Sequence, residues 1–229
     1  MTIVLHAETL WVSPYVFSTW VALREKGVPF AVRELSLIEG ENRAPAYLAQ
    51  NLTGKVSALE HDGFCLPESS AIAEYLEDVF PRPEHAGLFP PDPRDRARAR
   101  ALMAWFRSDL GALRDERPTV TMFFAHATRP LSPAGAASAA TLLRVAERVI
   151  TREDTGLFGG WCLADSELAF MLHRLILNEH KVPAHVRVWA AREWQRKSVQ
   201  EFVRHPRPAT LDERYWAIPA NHGATRPYL

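Results

Sequence analysis

The chain has only two cysteines, Cys65 and Cys162, among 229 residues. Two distant thiols exclude a disulfide framework and favour a reducing compartment, so we expect a cytoplasmic protein. The net charge is zero, because 27 basic residues balance 27 acidic ones, and this gives no bulk field that would attract nucleic acid or an anionic membrane. No apolar run approaches the roughly 20 residues that span a bilayer, and we expect no secretory signal. The histidines show no metal-ligand spacing, so we expect no metal either.

The overall composition is that of an ordinary globular protein. The segments Ile3–His6 (IVLH) and Phe30–Leu35 (FAVREL) predict two strands. Between them, Ser13 and Pro14 predict the start of a helix, with serine as the N-cap and proline in the first turn, and Gly27 predicts its end. Two strands joined through one helix form a βαβ unit, in which the strands are parallel.

A second set of patterns completes the first domain. A short helix is predicted near 46–50. Asp62-Gly63 between the segments Ala58–His61 and Phe64–Leu66 predicts a β-hairpin. Ser69-Ser70 then predicts the start of a further helix that runs to about residue 79. Residues 1–80 are therefore predicted to form one α/β domain.

Proline and glycine mark the end of this domain. A linker at 81–92 is predicted because these residues crowd together, at Pro81, Pro83, Gly87, Pro90, Pro91 and Pro93. Beyond it the pattern is helical, with predicted helix starts at Pro93, Pro133, Ala164 and Pro183, and an irregular tail from His205. Residues 93–229 are therefore predicted to form an all-helical domain.

This layout and four local segments resemble the glutathione S-transferase family, in its bacterial, cytosolic, serine-type, theta- or zeta-like form. The segments are Asn51–Leu59 (NLTGKVSAL), Glu68–Leu76 (ESSAIAEYL), Leu88–Pro93 (LFPPDP) and Leu163–Asp165 (LAD). The resemblance implies a thioredoxin-like N-terminal domain and an all-α C-terminal domain. It also implies glutathione as co-substrate, no metal, and a homodimer.

The resemblance assigns glutathione-binding roles to Lys55, Val56, Glu68 and Ser69. A helix N-terminus at Ser69 favours an anion, so it suits the γ-glutamyl carboxylate, while the Glu68 carboxylate suits the ammonium. The Val56 backbone is implied to pair with the cysteinyl peptide like one added strand. Lys55 and Arg43 are candidates for the glycyl carboxylate.

Ser57 departs from the family pattern, which has a cis-proline at this position. A cis bond before a residue other than proline costs about 2.5–4 kcal/mol, so the Val56–Ser57 bond is either cis against this cost or trans with a relaxed loop. The departure leaves open a non-catalytic binding or stress-response protein.

Ser13 is the candidate catalytic residue, 14 positions before Gly27 as in the serine-type transferases. The chemistry needs a thiolate, and a free thiol with a pKa near 8.5 is mostly protonated at neutral pH. A hydroxyl that donates to the sulfur at a helix N-terminus favours the anion. Ser13 could instead be an N-cap alone, and Ser18 is a competitor one turn further along.

The second substrate is expected to be a small electrophile or a hydroperoxide. Trp11, Tyr15 and Arg107 are candidates for its pocket, and an arginine there would suit a substrate carrying a carboxylate. Glutathione-dependent cis–trans isomerisation of the maleylacetoacetate type is therefore an alternative to conjugation. The resemblance also implies that Asp165 is a buried structural residue.

Overall fold

A computed structural model of the protein describes residues 1–217, and these form two compact units. The first unit contains Met1–Phe89 and Lys197–Pro208, and the second contains Pro90–Arg196 and the described residues after position 208. The boundary near residue 90 lies within the predicted linker. The assignment of 197–208 to the first unit is a feature that the sequence does not predict.

The first unit is built on a four-stranded sheet with the order β2-β1-β3-β4. The strands are β1 (Ile3–Glu8), β2 (Ala31–Leu35), β3 (Ala58–His61) and β4 (Phe64–Pro67). β1 pairs with β2 in parallel and with β3 antiparallel, and β3 pairs antiparallel with β4. The β3–β4 turn is the predicted Asp62-Gly63 pair, where both residues adopt positive φ.

Three helices of the first unit follow the predicted order: α1 (Pro14–Lys26), α2 (Pro45–Leu48) and α3 (Ser69–Val79), with a 3-10 turn at Glu41–Arg43. α1 has the predicted boundaries. Ser13 is its N-cap, and Gly27 ends it in the left-handed conformation, which glycine adopts without a steric cost.

The second unit is helical, as predicted. Its helices are α4 (Pro93–Ser108), α5 (Gly111–Glu116), α6 (Val120–Phe123), α7 (Pro133–Val149), α8 (Leu163–Ile176) and α9 (Ala184–Trp194). Asp92 and Ser132 cap α4 and α7 through their side chains. α8 is the central helix, since its residues from Leu163 to Leu175 are all buried.

The last helix, α10 (Lys197–Val203), belongs to the first unit and packs against α1. The indole nitrogen of Trp20 donates to the Ser198 carbonyl oxygen at 3.1 Å, and the Phe17 and Phe202 rings meet edge to face. The predicted irregular tail contains a 3-10 helix at Glu213–Ala217, and its remainder lies outside the described residues. Within residues 1–217, no helix is both long enough and apolar enough to cross a membrane.

Candidate functional site

The register of the sheet brings three of the sequence-predicted segments to one end of the first unit. His6 of β1 is opposite Ala58, the first residue of β3, and Ala58 is opposite Pro67, the last residue of β4. The loop after β1 leads to Ser13, the residue before β3 is Ser57, and the residue after β4 is Glu68. These three residues therefore emerge at the same edge of the sheet.

Ser57, at this edge of the sheet, is hydrogen-bonded to the first turns of α1. Its hydroxyl donates to the Tyr15 carbonyl oxygen at 3.1 Å and lies 2.7 Å from the Thr19 hydroxyl oxygen. The Val56–Ser57 peptide bond is cis, so the first of the two alternatives left by the sequence is the observed one. Ser57 thus connects the first turn of α1 to the start of β3.

Ser13 stands half-buried at the N-terminus of α1. Its hydroxyl oxygen accepts from the backbone N–H groups of Tyr15 and Val16, at 3.3 Å each. The cap uses the oxygen as an acceptor, so the hydroxyl hydrogen can still be donated to a ligand. The capping role and the catalytic role proposed for Ser13 are therefore compatible.

Glu8, at the end of β1, supports the loop that carries Ser13. The carboxylate is only 4% exposed and accepts from the backbone N–H groups of Leu10 at 2.7 Å, Val12 at 2.7 Å and Ser13 at 2.9 Å. Burial raises the pKa of Glu8 to about 7, although the backbone hydrogen bonds oppose the rise. The sequence analysis missed Glu8, because a single acidic residue at the end of a strand carries no distinguishing signal.

The raised pKa of Glu8 predicts a pH dependence of stability. A carboxyl group whose pKa is about 7 when folded and near 4.5 when unfolded stabilises the fold fully below pH 4.5. This contribution is lost as the pH rises through 7, and it amounts to about 3 kcal/mol. Urea denaturation at a series of pH values measures the free energy of unfolding, and we expect that of the Glu8→Gln variant not to decline through pH 7. The free energy of unfolding of the exposed Glu84→Gln variant should decline as that of wild type does. The same pH dependence for wild type and Glu8→Gln would contradict the prediction.

Glu68 and Ser69 form the N-terminus of α3. Glu68 is exposed and adopts φ 73°, a left-handed conformation that is uncommon for a residue with a side chain. Its side chain makes no capping hydrogen bond in the described structure, so capping does not account for its identity. Ser69 is the first residue of α3, where backbone N–H groups and the helix dipole favour an anion.

Val56 and Lys55 lie between α2 and β3. Within residues 1–217, neither the N–H nor the C=O of Val56 has a hydrogen-bond partner, which leaves both available to an extended peptide. The Lys55 carbonyl accepts from the Asn51 side-chain amide at 2.9 Å and from the Tyr47 hydroxyl at 3.1 Å, while the Lys55 side chain is exposed. Arg43 is also exposed, on the 3-10 turn before α2.

Two of the three pocket candidates are engaged with other protein groups. Trp11 is 1% exposed, and its indole nitrogen donates to the Glu34 carboxylate at 2.6 Å. In the second unit, the Arg107 guanidinium binds the Glu167 carboxylate through two hydrogen bonds of 2.6 Å. Tyr15 is 38% exposed and presents its ring to solvent. Of the three residues, Tyr15 is therefore the one whose packing best suits a pocket wall.

Two family models match the chain, one in its N-terminal part and one in its C-terminal part. The model described as "Glutathione S-transferase, N-terminal domain" matches residues 12–79, and "Glutathione S-transferase, C-terminal domain" matches residues 92–206. The chain belongs to the glutathione S-transferase family. Its N-terminal domain carries the four-stranded mixed sheet, and its C-terminal domain is helical, so the predicted fold class is confirmed.

Curated members of the family match a part of the chain. A maleylacetoacetate isomerase from Pseudomonas aeruginosa is 43% identical over 96 residues, which is 41% of this chain and 44% of the relative. Human glutathione S-transferase theta-2 is 31% identical over 88 residues, which is 38% of this chain and 35% of the relative. The aligned part of the chain thus spans less than half the length of these curated relatives.

Solved structures of the family match more of its length. A glutathione transferase homologue from Burkholderia, crystallised with bound glutathione, is 37% identical with a TM-score of 0.73, over 89% of this chain and 96% of that one. A theta class glutathione S-transferase from Xanthomonas axonopodis pv. citri has a TM-score of 0.70 at 24% identity, over 90% of this chain and 98% of that one. At that identity the second match shows the fold alone.

Proposed function

We propose that the chain is a glutathione transferase in which the Ser13 hydroxyl activates the thiol of glutathione for attack on a small electrophile or a hydroperoxide. The observation that carries the proposal is the convergence of Ser13, the Val56–Ser57 segment and the Glu68–Ser69 helix start at one edge of the sheet. The Burkholderia homologue with bound glutathione supports the choice of ligand. In line with the family, we also propose a homodimer, which sedimentation equilibrium tests.

The binding mode follows from the chemistry of the three segments. The γ-glutamyl carboxylate of glutathione binds the N–H of Ser69 at the start of α3, and its ammonium binds the exposed Glu68 carboxylate. The cysteinyl peptide pairs with the N–H and C=O of Val56 as an added strand. The Lys55 side chain serves the glycyl carboxylate. This arrangement directs the thiol toward the first turn of α1.

The proposed reaction needs only the protein and its two substrates. The Ser13 hydroxyl donates a hydrogen bond to the sulfur, the thiol proton leaves to solvent, and the thiolate attacks the electrophilic carbon. In conjugation the new bond is S–C, and the leaving group departs with the electron pair of the bond that breaks. With a hydroperoxide the thiolate attacks an oxygen atom and the O–O bond breaks, so that the alkoxide leaves with the electron pair and takes a proton to give the alcohol. A second glutathione then reduces the sulfenic acid to glutathione disulfide with release of water. The exposed Tyr15 ring is proposed to line the pocket of the electrophile.

Calorimetric titration with glutathione, together with turnover of chlorodinitrobenzene and cumene hydroperoxide, tests the proposed function. We expect saturable binding and glutathione-dependent turnover of at least one of these substrates. Absence of heat at millimolar glutathione would overturn the proposal and would favour a non-catalytic member of the family.

The Glu68 carboxylate predicts a specific loss of affinity. We expect Glu68→Gln to weaken glutathione binding about 10-fold to 100-fold, because a charged hydrogen bond to the ammonium contributes about 1.5–3 kcal/mol. Calorimetry measures this change in Kd. The matched control is Glu84→Gln, another exposed glutamate of the first unit, which should bind as wild type does. Equal affinities for Glu68→Gln and wild type would remove Glu68 from the binding site.

Glutathione-dependent isomerisation is the second candidate function, favoured by the 43% identity to the maleylacetoacetate isomerase. In that reaction the thiolate would add to the double bond and depart after rotation, so glutathione would not be consumed. Turnover of maleylacetone with catalytic amounts of glutathione distinguishes isomerisation from conjugation. Arg107 is a weak candidate for binding the substrate carboxylate, because Glu167 already balances its charge.

A further inference from the structure

The loop between β1 and α1 is held in an unusual backbone conformation. Trp11 adopts φ 53°, in the left-handed region that residues with a side chain rarely occupy. Its N–H donates to the Glu8 carbonyl oxygen at 3.2 Å, and its carbonyl faces the segment after α10. An uncommon backbone conformation persists only where surrounding contacts stabilise it, so the contacts of this loop should hold Trp11 in place.

One side of the loop rests on Glu8. The carboxylate accepts from the backbone N–H groups of Leu10, Val12 and Ser13, so three donors of the loop face one buried group. Ser13 is the last of these donors, and its hydroxyl oxygen caps the N-terminus of α1. The position of the hydroxyl is therefore set partly by Glu8.

The other side of the loop is held by Arg207, which comes from the far end of the sequence. Its guanidinium donates to the Trp11 carbonyl oxygen through Nε at 3.1 Å and through Nη2 at 2.7 Å. The same group donates to the carbonyl oxygens of Phe202 at 3.0 Å, Val203 at 2.7 Å and His205 at 2.9 Å, around the end of α10. Arg207 thus joins the C-terminus of α10 to the Trp11 carbonyl with one rigid planar group.

Side-chain contacts of Trp11 also join the loop to the segment after α10. The His205 ring stacks on the Trp11 indole with 3.5 Å between centroids and 19° between planes. Arg207 and Glu8 also attract each other, and the other charged or titratable groups near them are Glu34 and His205. The contacts of Trp11 therefore connect the loop to Glu8, Glu34, His205 and Arg207.

We infer that Arg207 and Glu8 hold the Leu10–Ser13 loop from two sides and so position the Ser13 hydroxyl for thiol activation. The inference rests on the proposed function. It adds that the segment after α10 supports the loop that carries Ser13 in the N-terminal domain. Arg207 is a positioning residue, since it acts through the Trp11 backbone. A displacement of about 1 Å at a reacting group can cost about 100-fold in rate, so a loosened loop should be visible in catalysis.

The test uses Arg207→Gln in the full-length protein, with exposed Arg204→Gln from the same segment as the matched control. Ultraviolet absorbance of the thiolate gives the pKa of bound glutathione, calorimetry gives Kd, and steady-state kinetics give kcat. For Arg207→Gln we expect the thiol pKa to rise by about one unit and kcat to fall about tenfold near neutral pH, with Kd within threefold of wild type. Arg204→Gln should match wild type in all three.

Combination with Ser13→Ala separates positioning from general destabilisation. If Arg207 acts through Ser13, Arg207→Gln adds no further shift of the thiol pKa in the Ser13→Ala background. The inference is overturned if Arg207→Gln shifts the thiol pKa equally in the wild-type and Ser13→Ala backgrounds, or in neither. The proposed function still stands in that case if Ser13→Ala alone raises the thiol pKa. If Ser13→Ala does not change the thiol pKa, both the inference and the proposed function are overturned. If Arg207→Gln does not fold, Arg207→Lys provides the same test, because it keeps the charge and removes the planar fork.

Discussion

Replacement of Ser13 by alanine should lower kcat/KM for conjugation about 50-fold at pH 6.5. One charged hydrogen bond together with the helix N-terminus can supply about 2.7 kcal/mol, which lowers the thiol pKa by about two units. Without the hydroxyl, the bound thiol titrates near 8.5 and is mostly protonated at pH 6.5. The deficit should shrink to a few-fold above pH 9, where both proteins hold a thiolate. A pH profile of kcat/KM measures this directly.

The chain offers matched controls for the loss of the cap. Asp92 caps α4 as Ser13 caps α1, since each side chain accepts from the backbone N–H groups of the second and third residues of a helix that starts with proline. Asp92→Ala should cost about 1 kcal/mol of stability and leave kcat/KM unchanged. Ser13→Thr keeps the hydroxyl and the cap, so it should stay within a few-fold of wild type. A deficit of Ser13→Ala that does not depend on pH would show that thiol activation is not the role of Ser13.

Replacement of Asp165 by alanine should lower the free energy of unfolding by about 3–5 kcal/mol. The carboxyl is fully buried and accepts from the Leu157 N–H at 2.7 Å, the Cys162 N–H at 2.9 Å and the Cys162 thiol at 3.0 Å. Alanine leaves these donors without an acceptor and removes the capping box of the central helix α8. The loss corresponds to a fall in Tm of about 6–20 °C for a protein of this size.

Asp154→Ala is the control for this experiment. Its carboxylate pairs with Arg152 on the surface, where both side chains are more than 60% exposed. Solvent screens an exposed pair, so its loss should leave Tm close to that of wild type. A similarly small change for Asp165→Ala would contradict the structural role of the buried carboxylate. Scanning calorimetry measures both variants.

Much of the fold could be predicted from local sequence patterns. Ser13-Pro14, Asp92-Pro93 and Ser132-Pro133 each predicted a helix start, because a short polar side chain before proline satisfies the first free N–H groups. Asp62-Gly63 predicted the hairpin because its backbone conformation suits a tight turn. Such signals lie within a few residues of each other, so a single sequence carries them in full.

The sequence by itself determined the α/β and helical parts of the chain and the local segments that carry Ser13, Val56, Glu68 and Ser69. The tertiary structure alone decided how the β1–α1 loop is supported. Glu8 and Arg207 are 199 positions apart, and no local pattern links an acid at a strand end to an arginine in a proline-rich tail. The same holds for Arg107 and Glu167, whose ion pair depends on how α4 packs against α8. Contacts of this kind arise only when distant segments share a core, because burial then forces each polar group to find a partner wherever the fold provides one.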